Sequence, residues 1–252
     1  TELDRWILSE LNSLIKVVDL AYADYEPTKA CRAISDFVDE HLSNWYVRLC
    51  RRRFWKGDYE LDKISAYQTL YECLETIIRL MAPISPFFSD ALFQNLNQVT
   101  NRFEAASIHH ADFPVANPAA IDAGLEERMQ LAQDTCSLVL SLRKKVNIKV
   151  RQPLQKILIP VLNPEMKAQL ELVQDLILAE VNVKELVSLT ETEGIIKKKI
   201  KANFKLLGAK MGAKMKQAAA LIGAFSQQEI AQLEKNGKIA ILANPRNFIA
   251  QP

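Results

Sequence analysis

The chain has 252 residues, 49% of them hydrophobic and 25% charged, with a formal net charge of +2. That content can bury one large core or two ordinary ones and excludes a disordered chain. No uninterrupted apolar run reaches the roughly 18 residues a membrane helix needs, and nothing at the start reads as a signal peptide.

The first half reads as helices. Leu3, Ile7, Leu11, Leu14 and Val18 recur at three- and four-residue steps, which is one helix face. The chain opens in mid-pattern at Thr1, as expected of a segment of a longer protein. Pro27 fits the first turn of a second helix, which should run to about Trp55 and stop near Gly57. A third helix is expected over about 62–81, ending before Pro83, and a fourth over 86–97. Residues 101–119, with Pro114 and Pro118, read as a linker.

The second half mixes types. A long helix is expected over 119–146, then a strand over 154–162. Asn163-Pro164 starts a helix reaching about Ala179, and a second strand covers 181–189. A helix over 209–222 follows a lysine-rich stretch. Ser226 and Glu229 make a capping box for another helix, ending at Asn236-Gly237, and 239–242 is a last short strand. The expected fold is mainly α: an antiparallel helical bundle over 1–118, then a smaller α/β domain over 119–252.

The net charge hides an asymmetry. Residues 1–115 hold 12 Lys+Arg against 17 Asp+Glu, and residues 116–252 hold 20 against 13. Such a split points to a polyanionic partner of the second half. Arg143, Lys144, Lys145, Lys149 and Arg151 form a run without an acid. Eight lysines lie between Gly194 and Gln217, again without an acid, and include Lys197, Lys198, Lys199, Lys201 and Lys205. Lysine is a flexible point charge suited to phosphate, so these residues are candidate partners of a nucleic-acid backbone. A plain solvated surface is the competing reading.

The most informative segment is Ser43 to Lys56, S-N-W-Y-V-R-L-C-R-R-R-F-W-K. At about 100° per residue, Asn44, Arg48, Arg51 and Trp55 share one helix edge. Ile34, Val38, Trp45 and Leu49 form the neighbouring apolar stripe. An amide, two guanidiniums and an indole beside a core suit unstacked bases, because arginine bonds base edges as a fork and an aromatic ring stacks on them. The alternative is a solvated face whose arginines pair with nearby acids.

Other chemistry finds little support. Cys31, Cys50, Cys73 and Cys136 are widely spread, no two form a C-x-x-C pair, and no zinc-ligand spacing occurs. They read as reduced thiols. His41, His109 and His110 are the only histidines, and no phosphate loop or G-x-G-x-x-G is present. Lys210-Met211-Gly212-Ala213-Lys214 looks like the K-M-S-K-S loop of class I synthetases, but no βαβ unit precedes it. No catalytic residue and no metal ligand is assigned.

Several segments resemble one family. Leu3-Asp4-Arg5-Trp6-Ile7-Leu8-Ser9-Glu10, Ser43-Asn44-Trp45-Tyr46 and Arg51-Arg52-Arg53-Phe54-Trp55 are similar to the anticodon-binding helical domain of the isoleucyl-tRNA synthetases. Leu80-Met81-Ala82-Pro83-Ile84-Ser85-Pro86-Phe87 resembles the class I bundle's proline turn, and Ser107-Ile108-His109 its closing segment. Val150-Arg151-Gln152-Pro153-Leu154, Val181-Asn182-Val183-Lys184 and Asn203-Phe204-Lys205 resemble the family's C-terminal junction. Valyl enzymes share the architecture but carry an acid where Arg48 stands. Ala202 replaces a usual proline, and no cysteine-rich zinc tail is present, as expected either of the family's eukaryote-like branch or of a segment that stops before such a tail.

The resemblance implies a cytoplasmic, monomeric, tRNA-binding segment of an enzyme that joins isoleucine to its tRNA. The chemistry, with ATP and magnesium, would lie in the rest of the synthetase chain. It implies anticodon contacts from Asn44, Arg48, Arg51, Arg52 and Trp55. A helical protein-interaction module is the rival from another class.

Overall fold

The computed structural model describes residues 1–161, 163–189, 200–204, 207, 212, 215–226, 229–230 and 233, and the backbone of 239–243 and 246–250. Two compact units result: Thr1–Ile157 with Pro164–Leu186, and Leu158–Asn163 with Val187–Pro252.

In the first unit, helix α1 (Glu2–Ala23) is capped by Thr1 and Asp4 in a reciprocal box. It is the central helix and packs on every other long helix of the bundle except α5. Hence it buries more than one stripe, including Trp6, Ile7, Leu11, Leu14, Ile15 and Val18. Chain reversal at the 24–26 turn starts α2 (Pro27–Asp36) with proline in its first turn. α2 continues into a π-helical segment (Phe37–Val47), and α3 (Arg51–Trp55) follows a break at Cys50. α4 (Leu61–Met81) and α5 (Pro86–Thr100) complete the first part.

The single helix expected over 27–55 is thus three pieces. Its core positions show why. Ala30, Ile34 and Phe37 step by four and three, but the next buried residue is Leu42, five further on. Tyr46, Cys50 and Phe54 then follow at fours. A wider turn absorbs the extra residue and keeps both halves facing the core. Tyr46 donates its hydroxyl to Asp4 at 2.7 Å and to the Ala66 carbonyl at 3.3 Å, which ties this run to α1 and α4.

The stretch 101–119 is not a free linker. Ile108, in a short 3₁₀ turn (Ile108–His110), packs with Ile78 and Phe93 in a small core. Asp90 holds that turn, accepting from the Ser107 hydroxyl at 2.7 Å and the Ile108 N–H at 2.9 Å. α6 (Ala123–Lys145) then packs on the N-terminal half of α1, as the Arg5–Asp122, Glu2–Arg128 and Ser13–Glu126 pairs show. α7 (Pro164–Leu172) and α8 (Gln174–Val181) pack on α6. These three helices, assigned from sequence to the second half, therefore group with the first unit.

Strands β1 (Leu154–Pro160) and β2 (Val183–Leu189) pair in parallel. Leu154 N–H donates to Asn182 C=O and Val161 N–H to Leu189 C=O, so register advances together in both strands. Asn182, at φ 52°, makes the left-handed turn that ends α8 and starts β2. In the second unit, α9 (Met215–Gly223) buries Met215, Ala218 and Ile222. Ser226 and Glu229 exchange the hydrogen bonds of the expected capping box. β3 (Ile239–Ala243) pairs antiparallel with a strand not foreseen from sequence, β4 (Arg246–Ala250). The expected end of the intervening helix at Asn236-Gly237 lies outside the described residues.

The interface of α1 with α6 holds an unusual acid pair. Glu10 accepts from the Trp6 indole at 3.1 Å, and Glu126 accepts from Ser9 and from Ser13. Burial, with repulsion from Glu126, pushes the Glu10 carboxyl up to about 7. The native chain therefore holds a proton that the unfolded chain has already lost between about pH 4.5 and 7. Stability is expected to fall by roughly 1–2 kcal/mol as pH rises through that window, after allowing for partial exposure. Glu10→Gln should flatten the fall. Urea titrations at pH 5 and 8 check this, and an equal slope in both proteins would count against it.

Candidate nucleic-acid interface

The end of the broken helix builds a cleft of about 420 Å³. Arg48, Leu49, Arg51, Arg52, Trp55 and Lys56 form one side, and Leu176, Ala179 and Glu180 of α8 form the other. A smaller hollow of about 270 Å³ adjoins it, lined by Ser43, Val47, Phe54 and again Arg48, Arg51 and Trp55. Gly57, at φ 77°, ends the helix just beyond.

Trp55 is 77% exposed, which is costly for an indole without a partner. The Arg51 guanidinium carbon sits 5.6 Å from the centre of its ring. Arg48 is held at two points. Its Nε donates to the Asn44 carbonyl at 2.7 Å, and its Nη1 forms an ion pair with Glu180. The Arg48 side chain is 47% exposed and that of Glu180 only 11%. The cleft thus combines four cations, one open aromatic face and one sheltered carboxylate.

Of the five residues expected to read bases, Arg48, Arg51, Arg52 and Trp55 come together here. Asn44 is exposed and touches Arg48 through its backbone carbonyl, but its side chain lines neither hollow. Arg53, third of the arginine run, faces elsewhere. It forks onto Asp4, with Nη1 to Oδ1 at 2.7 Å and Nη2 to Oδ2 at 2.8 Å, and also meets Asp62. Sequence reasoning missed Glu180. Its one local signal is an acid in the last turn of a helix, where the dipole disfavours negative charge.

The basic run of 143–151 divides. Lys144, Lys145, Lys149 and Arg151 are exposed. Arg143 is 3% exposed, so the structure corrects its assignment to the surface that would meet a nucleic-acid backbone. Its Nη2 donates to the carbonyls of Val150 at 3.0 Å and Gln152 at 2.6 Å, clamping the loop that carries Lys149 and Arg151. Lys201 is exposed, whereas Lys197, Lys198, Lys199 and Lys205 lie outside the described residues. So does the Lys210 to Lys214 stretch, apart from Gly212.

All four cysteines are free. Burial pushes the Cys136 thiol up to about 12 and that of Cys73 further still, so neither is a ready nucleophile. Among the described residues, no three His, Cys, Asp or Glu side chains gather as a metal site, and no helix is long and apolar enough to cross a membrane.

The fold is a helical bundle with a basic, aromatic cleft at a helix end, an architecture that anticodon-binding domains of tRNA ligases carry. The chain belongs to the family described as the anticodon-binding domain of tRNA ligase, which it matches over residues 4–158. It is 58% identical to the isoleucine–tRNA ligase of Bacteroides thetaiotaomicron over 95% of its length, covering 21% of that protein. It is 56% identical to that of Cytophaga hutchinsonii over 94% of its length, again 21% of the relative. For Porphyromonas gingivalis the figures are 55%, 94% and 20%. The chain therefore spans about a fifth of the length of the curated relatives it matches. These relatives are isoleucine enzymes, so the valyl alternative is not favoured, and the family match sets aside a plain protein-interaction module.

Proposed function

We propose that this chain is the anticodon-holding part of an isoleucine–tRNA ligase, and that the cleft beside Trp55 takes bases of the isoleucine tRNA anticodon loop. The observation that carries the reading is the cleft itself: forked cations around one open indole, with Arg48 anchored on the Asn44 carbonyl and Glu180, in a domain of the anticodon-binding family. The enzyme as a whole would charge tRNA with isoleucine at the expense of ATP, with magnesium, in a part of the protein that carries the nucleotide fold. This segment would contribute binding energy and position, because holding the anticodon fixes where the acceptor end lands. Lys144, Lys145, Lys149, Arg151 and the lysines from Lys197 to Lys205 would hold the sugar–phosphate backbone.

Arg48 gives the test. A held guanidinium loses little entropy on bonding a base, and a bidentate pair discriminates by about 1–3 kcal/mol. Arg48→Ala is expected to lower the preference for isoleucine tRNA over a changed anticodon by about 5- to 150-fold. Its half-exposed ion pair should contribute under about 1 kcal/mol to folding. Arg48→Lys should not restore the preference, because an ammonium lacks the planar fork. Filter binding and melting curves on the same proteins check both quantities. A lowered melting temperature with discrimination intact would reduce Arg48 to a prop of the bundle.

Replacing Lys144, Lys145 and Lys149 together by alanine should act differently. All tRNAs should bind more weakly, and the slope of log affinity against log salt should flatten by about one unit for each phosphate deprived of its cation. An unchanged slope would leave these lysines as solvated surface.

A further inference from the structure

Glu180 is the one acid of the cleft. It lies in the last turn of α8, where the helix dipole disfavours it, among the cations Arg48, Arg51, Arg52 and Lys56, which favour it. Its carboxylate is nine-tenths sheltered, yet its partner Arg48 is half open to solvent. Such a pair contributes little to folding, so stability alone does not account for it. Phosphate binding does not account for it either, since a fixed negative charge repels the phosphate that the arginines would attract. Only a neutral ligand gains from both signs at once. Every nucleobase offers N–H donors for a carboxylate beside carbonyl or ring-nitrogen acceptors for a guanidinium, whereas a phosphate diester offers acceptors alone.

We propose that Glu180 is a specificity-determining residue of this cleft: it excludes backbone phosphate and positions Arg48, and so reserves the space beside Trp55 for a base. The inference rests on the base-reading function proposed above. Positioning works through the two anchors of Arg48, the Asn44 carbonyl at Nε and Glu180 at Nη1, which fix the plane of the guanidinium. Without Glu180 only the Asn44 anchor remains, the guanidinium plane is no longer fixed, and the cleft becomes a general anion site.

The test compares two RNAs on the full chain: an isoleucine anticodon stem-loop, and the same stem-loop with abasic sugars in the loop, which keeps the phosphates and removes the bases. The parent should prefer the intact loop. Glu180→Gln should raise affinity for the abasic loop about five- to tenfold, the effect of one nearby charge removed, and narrow the ratio accordingly. Glu180→Asp should keep the parent's ratio. Melting curves accompany each variant, and Glu180→Ala replaces the glutamine variant if that one does not fold. A ratio within about twofold of the parent's, with or without a lower melting temperature, would overturn the proposal and leave Glu180 a structural residue, since removing a charge at this distance must otherwise show. A parent that does not distinguish the two RNAs would instead overturn the base-reading function, and this inference with it.

Discussion

Arg53→Ala is expected to lose roughly 3–5 kcal/mol of folding stability. Asp4 is 6% exposed and receives the Arg53 fork and the Tyr46 hydroxyl. Burial alone would raise the Asp4 carboxyl, but Arg53, with Tyr46 and Thr1, holds it well below the usual aspartate range. Removing the guanidinium leaves a buried charge without its partner, and most of the loss is that penalty. Arg53→Lys should recover only part, since one ammonium cannot meet both oxygens. Replacing both partners, as Asp4→Asn with Arg53→Met, should cost less than Arg53→Ala alone. A depressed carboxyl also fixes a sign with pH: this stability is present above the ordinary aspartate pKa and is lost as pH falls through the lower native value. Urea unfolding followed by circular dichroism measures all of these. A loss below about 1 kcal/mol for Arg53→Ala would show that solvent reaches the pair and screens it.

Trp55→Ala is expected to give the largest loss of RNA binding, about 1–3 kcal/mol, or roughly 5- to 150-fold in affinity. An indole this exposed contributes little to the fold, so the melting temperature should hardly move. Trp55→Phe should keep a good share of the affinity, because stacking needs a π-face rather than the indole N–H. The combination matters: a loss of binding without a loss of stability assigns the ring to a ligand. Equal affinity in the alanine variant would move the binding site away from this cleft.

The helices were legible in the sequence because burial imposes a period on long amphipathic runs, and α1, α4, α5 and α6 all carry one. The family resemblance added the rest of the architecture. Two features were not legible. Arg51, Arg52 and Arg53 are adjacent, and adjacent helical residues face different directions, so the run alone cannot say which arginine turns inward to Asp4 and which line the cleft. Glu180 reaches Arg48 across 132 residues of chain, and no local pattern connects an acid on α8 to a guanidinium on the bundle. The stretch 101–119 misled for a related reason: its prolines and asparagines read as a linker, while Ile108, with Phe103 on the same small core and Phe113 against Tyr22, fastens it.

The π-helical segment of Phe37–Val47 has a consequence for how relatives are compared. It works as a phase shifter between the part of the run that packs on α1 and the part that faces the cleft. One residue removed within it would restore plain α spacing, so the arginines would keep their aim while their numbering moved by one. The same deletion in the loop between Trp55 and Leu61 would turn none of them. Among homologues, a gap inside 37–47 therefore marks the loss of the wide turn with the cleft still aimed as before, whereas a gap inside Pro27–Asp36 would turn the whole run by about 100° against its core contacts.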